Sequence, residues 1–191
     1  RIAGLSAWVG YLVTPGDAIT GAALEYRKLL RQVGPSEIFA SLRDPAMYKE
    51  VHSLEAYGNL ASADTGTNLL IVHLSIGDAT FGRFLADRNE RMIAVYHNIT
   101  PAHFFAPYDR HFDRLLALGR EQLEHLRGRV SLALADSEFN ADELRALGYP
   151  EVHVVPLVVD PHHLRGITLD AAVTAELEAR PGPSLVYVGQ L

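Results

Sequence analysis

Polar residues that can bind or move protons recur directly after the short apolar runs of this 191-residue chain. Thr14-Pro15-Gly16-Asp17 follows the first run, and His73-Leu74-Ser75-Ile76-Gly77-Asp78 follows a later one. His97-Asn98-Ile99-Thr100-Pro101, Asp136-Ser137-Glu138 and Asp160 follow the next three. An imidazole at His97 can donate to a sugar hydroxyl or phosphate oxygen, or serve as acid or base near neutral pH. The plain alternative is a satisfied structural histidine. His73, at the neighbouring exit, carries the same pair of readings. Asn98 and Thr100 add hydrogen-bonding groups, Thr100 otherwise capping a helix ahead of Pro101. Gly16 before a helix start offers free backbone N–H groups and a positive dipole end suited to phosphate. Asp17 is then either part of that site or simply the cap of the helix. Ser137 joins the set of candidate binding groups. Arg120, beside Gly119 on a long helical stretch, is the cation placed to hold an anionic group.

Other chemistries find no support. Neither G-x-G-x-x-G nor G-x-x-x-x-G-K-S/T occurs, which disfavours a nicotinamide site and a P-loop. There is no G-x-S-x-G elbow for a serine nucleophile and no cysteine for thiolate or disulfide chemistry. No H-E-x-x-H motif occurs; His162 and His163 are adjacent and point to different sides of any regular element, so no metal is expected. His103 and His111 read as solvent-facing, and His153 as packing or surface. With 17 basic against 23 acidic residues, a formal charge of -6, nucleic acid is not an expected partner. The arginines are dispersed along helix faces, which solvation explains.

The positioning elements alternate. Apolar runs at Leu69–Val72, Met92–Tyr96, Val130–Ala135, Val152–Val159 and Ser184–Val188 read as strands buried on both faces, with shorter candidates at Ile38–Ala40 and between Ile2 and Val13. Helical spacing of apolar residues runs from Ile19 to Val33, closed by Gly34, and again from Asp109 to Arg127. Further helices are expected from about Asn140, where Asn140-Ala141-Asp142-Glu143 reads as a capping box, to Gly148, and over Leu169–Ala179 and Ala79–Asp87. Strand and helix in alternation predict an α/β, doubly wound, mostly parallel sheet of Rossmann-like type. In such sheets ligands bind beyond the carboxyl ends of the strands, where the polar residues above lie. A composition of 48% hydrophobic and 21% charged residues fits one ordinary folded domain. No apolar run reaches the roughly 18 residues of a spanning helix. A cytoplasmic location is the expectation, with peripheral membrane contact at a basic helix face left open.

Taken in order, Gly16-Asp17-Ala18-Ile19, Tyr96-His97-Asn98-Ile99-Thr100-Pro101, Gly119-Arg120, Ala133-Leu134-Ala135-Asp136-Ser137-Glu138-Phe139-Asn140 and Val155-Pro156-Leu157-Val158-Val159-Asp160 resemble the N-terminal half of a retaining GT-B glycosyltransferase of the family 4 type. The likeness spans essentially the whole chain, and Val186-Tyr187-Val188-Gly189-Gln190-Leu191 is similar to the strand that opens the second domain. The resemblance implies a hexosyltransferase-like enzyme with two Rossmann-like domains facing a cleft. It would move a sugar from a nucleotide-sugar donor, its co-substrate, to a glycan, lipid-linked or small-molecule acceptor with retention, needing no other cofactor. The first domain, residues 1–180, would form the acceptor side, and residues 181–191 a linker and the first strand of a nucleotide-sugar-binding domain. The missing initiator Met and the unpaired final strand agree with that expectation. In this resemblance His97 lies beside the transferred sugar as the catalytic residue and the Gly16-Asp17 loop lies near the donor phosphates and the acceptor, while His73, Asn98, Thr100, Arg120 and Ser137 are expected to bind substrate from their places beside the cleft. The family frequently has two glycines where this chain has Gly16-Asp17. Glu143 and Glu151 straddle a helix end and the next strand, so their spacing is a coincidence. A nucleotide-sugar epimerase on the same scaffold and a non-catalytic sugar-binding or interaction module are the alternatives.

Overall fold

Residues 3–158, 167–183 and 185 are described in a computed structural model of the chain. The chain divides into two compact units, Arg1–Val159 and Asp160–Leu191. The strand expected over 184–188, the exit at Asp160 and the pair His162-His163 lie outside the described residues, Leu185 excepted.

The first unit is built on seven strands, β1 (Ser6–Val13), β2 (Ser36–Arg43), β3 (His52–Ser53), β4 (Leu69–Leu74), β5 (Arg91–Tyr96), β6 (Val130–Ala135) and β7 (Val152–Val154). All pair in parallel, in the order β3-β2-β1-β4-β5-β6-β7. The helices are α1 (Ala18–Leu30), α2 (Tyr57–Leu60), α3 (Ala79–Ala86), α4 (Arg110–Leu126) and α5 (Glu138–Ala146). This is the α/β doubly wound, Rossmann-like fold that the alternating pattern predicts.

Successive side chains on a strand point to opposite faces, so each apolar strand feeds two cores. Ala7, Val9, Phe39, Leu70, Val72, Met92, Ala94, Tyr96 and Ala133 share one face with Phe81 and Leu85 of α3, Leu116, Leu123 and Leu126 of α4, and Leu144 of α5. Trp8, Ile38, Ala40, Ile71 and Val95 share the other with Ala23 of α1. Burial of each large apolar side chain contributes about 1.5–3 kcal/mol, which makes these two layers the main stabilising term. The chain winds outward from β1 through β2 to β3 and then returns to β4 on the opposite side. Loops leaving β1 and β4 therefore diverge and open a crevice at that switch point.

Several boundaries differ from those read in the sequence. β4 runs on through His73 and Leu74, so His73 is a strand residue and not the first residue of a loop. β2 extends well beyond Ile38–Ala40, and the two-residue β3 carries no periodic signal. β7 stops at Val154, while residues 155–158 have no regular structure. Helix α5 starts at Glu138, not at Asn140. Ser137 is its cap, in an extended conformation, with its hydroxyl oxygen accepting from the Asn140 N–H at 3.2 Å. Helix α1 ends at Leu30, leaving Val33 45% exposed instead of on the buried stripe. In the second unit, α6 (Ala171–Glu178) is capped by Asp170, which accepts from the N–H groups of Ala172 and Val173.

Candidate functional site

Equal strand lengths and parallel register bring the exits together. Tyr96 is paired with Ala135 and Leu74 with Tyr96, so the next residues on β5 and β6, His97 and Asp136, lie side by side. His73 lies opposite Val95, one pleat below His97 and on the same face of the sheet. Their rings stack at 4.8 Å between centroids, and His97 Nε2 shares a 2.7 Å hydrogen bond with His73 Nδ1. His97 Nδ1 stands 3.4 Å from Asp136 Oδ2, at ion-pair distance but off line for a hydrogen bond. Asp136 Oδ1 accepts from Nδ2 of the buried Asn140 on α5.

This array is almost closed to solvent. The His97 side chain is 3% exposed and that of Asp136 19%. His73 is buried beneath the Trp8 ring, centroids 3.7 Å apart, and Trp8 in turn stacks on Tyr26 of α1. A Cβ at the neighbouring Gly10 would make ordinary van der Waals contact with the His73 Cβ, at 3.6 Å. Burial disfavours the imidazolium form. It holds the pKa of His73 well below the usual histidine value, with the proximity of His97 acting in the same direction. Burial lowers that of His97 too, against the opposing pull of Asp136 and, at longer range, Asp17. Both rings are therefore neutral at pH 7, suited to accepting or relaying a proton and not to holding a fixed positive charge.

At the β1 exit, Gly16 has a φ of +80° with open space around it, so a left-handed turn is what it supplies. Asp17 caps α1. Its Oδ2 accepts from the N–H of Thr20 at 2.8 Å and from the Thr20 hydroxyl at 2.9 Å, while that hydroxyl oxygen accepts from the Thr14 N–H. Capping and a negative charge at the crevice coexist in this residue. Asn98 is the one non-glycine among the described residues with positive φ, +72°, and it turns the chain away from β5. Thr100 is exposed; the short helical turn that follows is capped at Pro101 without a side-chain bond. Ser137 is engaged as the cap of α5.

Arg120 braces the β5 exit from α4. Its guanidinium donates to the Glu143 carboxylate and to the Ile99 carbonyl. The Tyr96 hydroxyl donates to the other Glu143 oxygen and accepts from the Ile99 N–H at 3.1 Å. Arg120 is thus committed to carboxylate and backbone partners, and Glu143 belongs to this brace, whereas Glu151 faces His153 at 3.0 Å. A second brace joins the β2 and β4 exits. The Ser41 hydroxyl donates to Asp78 Oδ1 at 2.7 Å, Asp78 caps α3 through the Phe81 N–H, and Gln122 of α4 bonds the Asp78 backbone at both ends.

The adjacent exits therefore bring His97 and His73 into contact and Asp17 near enough to act on His97 electrostatically, Gly16 supplies the turn before α1, and Arg120, Ser137 and Thr100 are placed as brace, cap and exposed loop residue. Asp136 has a larger part than its bare position after β6 suggests; the equal alignment of the β5 and β6 runs is the signal that pairs it with His97. Trp8 and Asn140 carry no such signal, since one reads as core and the other as a cap. Among the described residues, no group of three or more His, Asp or Glu side chains is placed to hold a metal ion, and no helix is long and apolar enough to cross a membrane. No protein-family model matches the chain, and no curated protein matches it.

Proposed function

We propose that this chain forms the acceptor side of a retaining, hexosyltransferase-like glycosyltransferase. The observation that carries the reading is the convergence of Gly16-Asp17, His73, His97 and Asp136 at adjacent exits of an all-parallel sheet whose strand order reverses between β1 and β4. That edge is where doubly wound sheets bind ligands, and Gly16-Asp17, His97 and Asp136 there belong to the segments on which the resemblance to the GT-B family 4 type rests. In this reading a nucleotide sugar is the donor, held mainly by a second Rossmann-like domain, and a glycan, lipid-linked or small-molecule acceptor lies over the exits. His97 orients the reacting sugar, Asn98 and Thr100 line the acceptor path, and the α1 N-terminus with Gly16 faces the donor phosphates. Departure of the nucleoside diphosphate is stabilised by preorganised charge, worth several kcal/mol in such sites, supplied mainly by the second domain.

Replacing His97 by alanine in the intact enzyme tests this. Turnover with donor and acceptor together should fall by about 10²-fold or more; wild-type turnover would overturn the assignment. Donor hydrolysis with no acceptor requirement would point to an epimerase on the same scaffold, and affinity for a protein partner without affinity for any sugar to a non-catalytic module.

A further inference from the structure

We infer that Asp136 is a positioning residue, which fixes His97 as its Nδ1–H tautomer and thereby makes His73 the donor in the bond between the two rings. A single proton lies between His97 Nε2 and His73 Nδ1, which are 2.7 Å apart. If His97 supplied it, the bare Nδ1 lone pair of His97 would face the Asp136 carboxylate at 3.4 Å, and His73 would carry its proton on Nε2. That Nε2 is buried without a hydrogen-bond partner, and an orphaned buried donor is costly. If His73 supplies it from Nδ1, His97 turns an Nδ1–H toward the carboxylate 3.4 Å away, an attractive contact although not an aligned hydrogen bond, and His73 keeps only a lone pair at its unpartnered nitrogen. Trp8, whose ring packs on His73, likewise has an unpartnered buried donor at Nε1, so no acceptor is engaged on that side of His73. Both comparisons choose the same tautomers.

Asp136 can impose this order because it is itself held. Asn140 Nδ2 takes its Oδ1, which leaves Oδ2 on the side of His97, and Asn140 is anchored by the first turn of α5. With a side chain 19% exposed against 3% for His97, Asp136 is also the end of the array nearer solvent. A hydroxyl-rich ligand meets its carboxylate first, and a change there reaches the imidazoles through the proton order. The weight of this order in turnover rests on the transferase reading, whereas the tautomers themselves do not.

Long-range proton–nitrogen correlation spectra of the uniformly ¹⁵N-labelled full chain, without ligand, at pH 7.5 test the inference. His97 and His73 should each show a protonated Nδ1 and an unprotonated Nε2; an Nε2–H on either ring overturns it. In folded Asp136→Ala, His97 should lose the Nδ1–H pattern, and retention of that pattern overturns the role of Asp136. Should Asp136→Ala unfold, Asp136→Asn, which keeps the side-chain size and loses the charge, is read in its place, and retention of the Nδ1–H pattern there overturns the role of Asp136. A wild-type tautomer pattern in a protein that transfers no sugar would fail the transferase reading and leave this inference standing.

Discussion

A histidine with no water around it gains little from a proton, and that single fact governs the behaviour of His73 and His97. The unfolded chain takes up protons near the ordinary histidine value of 6.5, whereas the folded chain resists them on both rings. The unfolded state therefore binds more protons below that pH, and stability must fall as the pH falls. Full stability from these groups is present above pH 6.5 and is lost progressively on acidification. Each ring contributes a slope of up to about 1.4 kcal/mol per pH unit between its two pKa values. Calorimetric melting from pH 7.5 to 5.5 should show a falling Tm, with a shallower fall in His73→Gln. A Tm that stays level or rises on acidification would contradict the burial of the pair. The sequence shows which residues follow the strands but not how deep they lie, because depth depends on where each strand stops. His73 looks like a loop residue only because the apolar run before it ends at Val72; its actual neighbours, Trp8 and Val95, come from other strands.

At the scale of elements, two glycines decide how closely α4 approaches the sheet edge. A Cβ at Gly77 would stand 2.2 Å from the Gly119 nitrogen, and one at Gly119 would stand 2.7 Å from the Gly77 nitrogen. The Gly77 N–H donates to the Leu115 carbonyl at 3.0 Å, so the loop after β4 is stitched directly to the helix backbone. That contact sets Arg120, the next residue of α4, against Ile99 and Glu143. Gly119→Ala should therefore cost about 1–3 kcal/mol, the usual range for overpacking. It should also loosen the loop after β5. Denaturant unfolding that reads an unchanged midpoint would show that the helix can shift freely. Long periodic elements such as α4 were legible in the sequence, since their apolar stripes repeat over several turns. The cap of α5 was not, because Asp136, Ser137 and Asn140 are all good capping residues and only the length of β6 chooses among them. The two-residue β3 was invisible for a similar reason: pairing with Phe39 and Ala40 defines it, and no pattern of its own does.

For the whole molecule, the near-continuous apolar runs separated by helices lead directly to a parallel doubly wound sheet, since crossover connections must cover both faces with helices. What no run by itself reveals is the strand order. It follows from which pairs of strands are neighbours, and it is this order that places the reversal at β1 and β4, beside Gly16-Asp17 and His73. The site was therefore legible as a set of exits, and its internal partnerships were not. The central claim, that these exits form one sugar-binding crevice, is tested most directly by titrating the ¹⁵N-labelled chain with nucleoside diphosphate sugars and with a panel of oligosaccharides while following backbone amide shifts. Saturable shifts confined to residues 14–20, 73–78, 97–100 and 136–140 are the predicted result. Saturable shifts at another face of the sheet, or none with any of these sugars, would contradict it.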